Sequence, residues 1–164
     1  MTEAEALAFQ KFSSPLIGLP VTHIWRGYGS AIFLEFGELQ NRVLPNGREL
    51  RNPSGQMGLM IEWSWRIEGK RLIWCGSWSD ESRWSRIFGK LLNANVTKVL
   101  LFGRLPEIDI QLSNGLHVVS MMTAEGNPEW ALSSRDRKLE QSVSVKSGLL
   151  RFQSNDIALK QIPS

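Results

Sequence analysis

Cys75, His23 and His117 are the residues on which nucleophilic, acid–base or metal chemistry in this sequence would have to rest. A cysteine nucleophile needs a base or a positive field to hold it as thiolate. Cys75 lies between Trp74 and Gly76 with no histidine near it in sequence, and reads as a buried structural thiol. His23 and His117 are far apart, and neither has a Cys, His, Asp or Glu at metal-ligand spacing. Both are assigned ordinary structural or surface roles.

The acidic pairs Glu107/Asp109 and Glu62/Glu129 read the same way, the first as a solvated strand face and the second as part of a repeat. Glycine-rich phosphate loops and nucleophile elbows are absent from the sequence. No catalytic residue, no metal and no cofactor is therefore assigned.

Aromatic and basic residues offer more. Six of the seven tryptophans (Trp25, Trp63, Trp65, Trp74, Trp78, Trp84) fall between residues 25 and 84. Tryptophan suits cores, and also pockets and interfaces. A dense aromatic core is the plainer expectation. The sharper one is a pocket, because segment 40–56 carries Arg42, Arg48 and Arg51 beside this half of the chain. Arginines over aromatic walls hold anionic or planar ligands. The candidate ligand-binding residues are Trp25, Arg42, Arg48, Arg51 and Trp74.

The elements that must position these residues are mostly strands. An N-terminal helix over 2–12 is predicted from Thr2 and Glu5, which form a capping box, with Leu7, Ala8 and Phe12 as its apolar stripe. Strands follow at 21–26 and 30–36, joined by Gly27-Tyr28-Gly29. Segment 40–56 holds two turn signals, Pro45-Asn46-Gly47 and Asn52-Pro53-Ser54-Gly55, and reads as irregular.

From Met57 to Ile67 every odd position is apolar, and Glu68-Gly69 reads as a two-residue turn returning through 70–78. That register places Trp63, Trp65, Trp74 and Trp78 on one buried face. Residues 80–92 then change to a helical period, with Ser79 or Asp80 as cap and Trp84, Ile87, Phe88 and Leu91 in one stripe.

Further strands are predicted at 96–102, 107–112 and 116–122, the last two around Asn114-Gly115. A two-residue loop there sends His117, Val119 and Met121 inward; a three-residue loop with a bulge sends Leu116 and Val118. A turn at 125–128 precedes short strands near 129–132, 139–145 and 149–153.

Four ordered matches suggest an internal repeat. Val21-Thr22-His23-Ile24 resembles Val96-Thr97-Lys98-Val99, and Ile32-x-Leu34-x-Phe36 resembles Ile108-x-Ile110-x-Leu112, with Leu39 opposite Leu116. Glu62-Trp63 resembles Glu129-Trp130, and Lys70-Arg71-Leu72 resembles Arg137-Lys138-Leu139, at a shorter spacing that an insertion at 40–56 explains. The expectation is one mainly β domain spanning 1–164, a minority α+β character coming from its helices. Two related antiparallel meanders, 21–78 and 96–145, are linked by a connector helix at 79–94 and form a sandwich or barrel-like body.

Bulk composition sets the class. With 42% hydrophobic and 21% charged residues the chain is an ordinary globular one. Its single cysteine suits a reducing compartment, and the absence of a long apolar run gives a cytoplasmic, non-membrane expectation. The net charge of +3 is spread along the chain, with 11 basic and 9 acidic residues before residue 94 and 8 and 7 after it. A nucleic-acid footprint is normally a cluster, so nucleic-acid binding ranks third.

The leading functional reading is a non-catalytic binding or interaction module of a bacterial-type cytosolic protein, for a protein partner or small ligand. A homodimer stays open. The alternative is an enzyme with an unrecognised site around Cys75, His23 or His117.

Overall fold

The computed structural model describes residues 1–44, 46–135 and 139–156. Eleven strands form two open antiparallel sheets. In chain order they are β1 (Val21–Arg26), β2 (Ile32–Phe36), β3 (Met57–Ile61), β4 (Trp65–Glu68), β5 (Ile73–Gly76), β6 (Val96–Phe102), β7 (Glu107–Leu112), β8 (His117–Ser120), β9 (Trp130–Arg135), β10 (Leu139–Lys146) and β11 (Leu149–Asp156). One sheet has the order β1-β2-β3-β9-β10-β11, the other β5-β4-β8-β7-β6. One apolar core lies between them, built from inward residues of both, such as Leu34, Leu59, Leu132 and Val143 from the first and Ile67, Ile110 and Val118 from the second.

Two helices accompany the sheets. Helix α1 (Glu3–Ser13) begins with the expected capping box: Thr2 accepts from the Glu5 N–H while the Glu5 carboxylate accepts from Thr2. Its buried face is Phe9 and Ser13 with Phe12 beside them, whereas Leu7 and Ala8 face solvent. The expected stripe was rotated because Phe9, the bulkiest residue of the middle turn, takes the core position. Helix α2 (Trp84–Leu91) joins the two meanders and buries Trp84, Ile87 and Leu91 of the predicted stripe, with Phe88 half-buried. Asp80 caps the preceding turn by accepting from the Ser82 N–H.

The two meanders match in several geometric details. In β1–β2 Val21 opposes Phe36, a bulge follows, and Ile24 then opposes Leu34. In β6–β7 Val96 opposes Leu112, a bulge follows at the same place, and Val99 opposes Ile110. Thr22 Oγ1 donates to the Glu35 carbonyl and Thr97 Oγ1 to the Gln111 carbonyl, both at 3.1 Å. Where the meanders meet, the bonds are reciprocal: the Val21 N–H donates to Ala94 and the Val96 N–H to Leu19, both at 2.9 Å. Gly18 and Asn93, which donate to the Val96 and Val21 carbonyls, both have positive φ, 88° and 65°. Asparagine is one of the few side-chain residues that tolerate that region.

Each sheet is not one half of the chain. The first half gives β1–β3 to one sheet and β4–β5 to the other, and the second half gives β6–β8 and β9–β10 in the opposite sense. The apolar run at 57–67 is therefore two strands. It breaks at 62–64, where the chain crosses from one sheet to the other. Beyond the break β4 meets β5 through a wider loop, with the Gly69 N–H on the Leu72 carbonyl and a bulge between Ile67 and Glu68. That shift puts Ile67 opposite Cys75 rather than on a face shared by Trp63 and Trp74. Of the four tryptophans expected on one face only Trp65 is in the core; Trp63 is 37% exposed and Trp78 86%.

The 107–122 hairpin takes the three-residue loop. Leu112 donates to the Leu116 carbonyl, Gly115 sits at φ 80°, and Leu116 and Val118 turn inward. The 40–56 segment is less irregular than its turn signals imply. Bridges Gln40–Ser54 and Val43–Glu49 zip it into a short hairpin capped by Gly47 at φ 80°. Of the sequence matches, Arg137-Lys138 lies outside the described residues, as does Pro45. The registers place Trp65 rather than Trp63 in the position corresponding to Trp130: Trp65 opposes Ser120 and Trp130 opposes Ile61. No helix is long and apolar enough to cross a membrane among the described residues.

Candidate functional site

Strand placement separates the residues that chemistry would need. Cys75 points into the core, while His117 projects from the opposite face of the same sheet and His23 belongs to the other sheet. Burial pushes the Cys75 thiol up to about 11, against a smaller opposing influence of Arg83. A thiol so placed is almost wholly protonated near neutrality and is a poor nucleophile.

The histidines have local partners. His23 Nε2 lies 3.1 Å from Asn52 Oδ1, tying β1 to the 40–56 hairpin. His117 Nδ1 lies 3.0 Å from Asp109 Oδ1. Among the described residues no cluster of three metal-ligating side chains occurs.

The acidic groups are more engaged than a solvated face implies. Glu107 accepts from the Ser120 hydroxyl and from the Met122 N–H, the latter at 2.7 Å. Glu62 accepts from the Asn127 N–H at 3.1 Å. Glu129 is buried, and its carboxyl is raised above the ordinary value. Desolvation is the main cause; a Gly148 N–H bond opposes it, and the nearby Glu107 and Glu125 add to it. These contacts fix turns and strand ends rather than converge on a reacting centre.

The candidate ligand residues are spread over the molecule. Trp25 lies on β1 and stacks on Phe33, ring centroids 3.9 Å apart and planes 5° apart. Trp74 lies on β5 of the other sheet, with Lys90 Nζ 5.3 Å from its ring centroid. Arg42, Arg48 and Arg51 are exposed along the 40–56 hairpin. Aromatic residues do cluster elsewhere: Trp65, Trp84 and Phe88 meet at centroid distances of 4.9–6.1 Å.

A groove that the sequence did not single out runs between α1 and β6. Its volume is about 390 Å³, and it is lined by Ala6, Phe9 and Ile17 on one side and Lys98, Val99 and Leu101 on the other. The strand side is a sheet edge with no further strand paired to it among the described residues. Leu112 bonds toward β8 through Leu116, and pairing directions alternate along an antiparallel strand, so Asp109 bonds toward Leu100 of β6. The backbone N–H and C=O groups of Val99 and Leu101 therefore point away from β7, toward the groove.

At the matching position beside β1 an ion pair reaches from the strand to the turn before α2. Arg26 makes a two-pronged ion pair with Glu81, Nη1 to Oε2 at 2.5 Å and Nη2 to Oε1 at 3.0 Å, and its guanidinium lies 5.0 Å from the Trp84 ring centroid. Counting along the matched strands, Leu101 stands where Arg26 stands, and Ala6 where Glu81 stands. Two small or apolar residues thus replace a charged clamp, and the α1–β6 groove stays open. The signal for this was in the sequence, as residue pairs at a spacing of 75, Ala6 with Glu81 and Arg26 with Leu101.

No protein-family description, no curated protein and no solved structure matches this chain.

Proposed function

We propose that the chain is a non-catalytic binding module whose site is the α1–β6 groove. The observation that carries the reading is the contrast between the two related grooves, one clamped by Arg26–Glu81 and the other opened by Ala6 and Leu101. An apolar groove with one cationic rim residue, Lys98, suits an apolar ligand or peptide segment with a negative group. The high pKa and inward position of Cys75 weigh against the enzymatic alternative. The single thiol suits a reducing cytoplasm.

The matched registers, bulges and hydrogen bonds support descent of both meanders, with their preceding helices, from one duplicated unit. On that reading α2 is the second unit's counterpart of α1 as well as the link between the halves.

The test uses 1-anilinonaphthalene-8-sulfonate, an anionic apolar dye, titrated into the full chain and into the double variant Ala6→Glu/Leu101→Arg. The variant copies the Arg26–Glu81 clamp into the open groove. Saturable binding to the parent, weakened at least about tenfold in a variant with unchanged far-ultraviolet circular dichroism, is the expected result. If the variant does not fold, amide shift changes at Val99 and Leu101 of the parent answer the same question. Dye binding that leaves those amides unmoved would remove the groove from consideration.

A further inference from the structure

Of the edge strands β1, β5 and β6, the last has described backbone groups that open onto a groove. The edge of β5 is capped from within: Arg83 donates to the Trp74 carbonyl at 3.3 Å, and the Gly76 N–H donates to Ser79 Oγ at 2.9 Å. At β1 the Arg26–Glu81 ion pair spans from the strand end to the turn before α2. At β6 Val96 is bonded to Gly18 and Leu19, but the next outward-facing residues, Val99 and Leu101, open onto the groove. An unpaired strand edge is a template for another strand.

We infer that the groove takes an extended acidic–apolar peptide of a partner protein, added to β6 as a further strand of the five-stranded sheet. The inference rests on reading the groove as a binding site. Residues that face each other on neighbouring strands share a face. Peptide residues opposite Val99 and Leu101 therefore point to the side of Phe9 and must be apolar. The residue opposite Lys98 points to the outer face.

Lys98 is the one charged side chain among the described residues lining the groove, and its neighbour on β7 is the neutral Gln111. An Asp or Glu in the added strand completes that cross-strand row with an opposite charge. A second copy of the chain fits less well, because its own α1 stands beside its own β6 and would meet the first helix across the pairing strands.

The experiment uses blocked synthetic peptides of about nine residues that alternate valine and threonine, with glutamate or lysine replacing the central threonine. A third peptide carries N-methylated valines. The glutamate peptide should bind, compete with the anilinonaphthalene dye, and slow hydrogen exchange at the Val99 and Leu101 amides. The lysine peptide should bind about fivefold more weakly, Lys98→Glu should invert that order, and N-methylation should abolish binding.

If the dye binds the groove but no peptide does, strand addition is wrong and the groove reading stands. If neither binds, both readings fall. Peptide binding indifferent to Lys98→Glu overturns the acidic assignment. A concentration-dependent dimer in light scattering, lost in Leu101→Arg, assigns the edge to a second copy and overturns the peptide.

Discussion

Glu35 and Arg135, a hundred residues apart, are joined at 2.5 Å across the backbone of Gly58. The pair links β2 to β9 over the top of β3. Glu35 is buried and also accepts the Gly55 N–H at 2.9 Å, so its charge is held by two donors. Gly58 leaves room for them: a Cβ there would meet Arg135 Nη2 at 2.6 Å and Glu35 Oε2 at 2.9 Å, so the pair would have to shift.

Removing one partner strands a buried charge, which typically costs about 3–5 kcal/mol. Arg135→Leu is expected to lose roughly that much in urea denaturation, and Glu35→Gln/Arg135→Leu to recover part of it. A loss within about 1 kcal/mol for the single variant would mean that Glu35 is solvated in solution.

Trp65 and Trp130 occupy corresponding places. Trp65 Nε1 donates to the Ser30 carbonyl at 2.6 Å and Trp130 Nε1 to the Pro106 carbonyl at 2.8 Å. Each indole meets a helix aromatic edge-on, Trp84 at 4.9 Å and Phe9 at 6.0 Å. Trp65→Phe and Trp130→Phe each remove a donor and part of a ring, and each should cost about 2–3 kcal/mol. Calorimetric losses that differ severalfold would show that the two places are not energetically alike.

Opening the clamp should create a second groove. Arg26→Leu/Glu81→Ala removes an ion pair whose side chains are 41% and 59% exposed, worth about 0–1 kcal/mol. Stability should hardly change, while the dye stoichiometry rises from one to two. An unchanged stoichiometry would indicate that the clamp does not control access.

Glu129 carries a pH signature. Its carboxyl is raised in the folded state, so the fold gains from the protonated form below the ordinary carboxylate range. That gain is lost as pH climbs through the raised value. Glu129→Gln should therefore melt above the parent at pH 7, with the difference disappearing near pH 4. A variant that melts lower at both pH values would assign Glu129 an essential charged contact instead.

Cys75, buried and with its thiol pushed up to about 11, should resist iodoacetamide at pH 8 in the native chain and react once urea unfolds it. Rapid native labelling would contradict the inward position of β5.

Legibility from sequence followed local determinacy. The bounds of β6 and β7 and the stripe of α2 could be read because alternation, the Asn114-Gly115 turn and the helical period each act over a few residues. The tryptophan face could not, since one bulge at Ile67/Glu68 and a wide loop invert the parity of β5. Nothing in the run 57–67 marks residues 62–64 as the crossing between sheets. The groove escaped notice because it is made by two segments about 90 residues apart, Ala6–Ile17 and Lys98–Leu101, that meet only in the folded chain. Its sequence trace is the pair Ala6 and Leu101, each 75 residues from Glu81 and Arg26 respectively.

The exchange of strands between halves has a consequence for synthesis. Strand β3 pairs with β9, and β4 with β8, so the five-stranded sheet cannot be completed before residue 120 has left the ribosome, and the six-stranded sheet not before residues beyond 130 have. Until then Met57–Ile61 is an apolar strand paired on its β2 edge alone, its β9 edge open on the nascent chain. Long-range pairing of this kind is slow to form and exposed to misassembly. Folding should be post-translational and should depend on chaperones, and a ribosome stalled near residue 100 should carry a protease-sensitive chain.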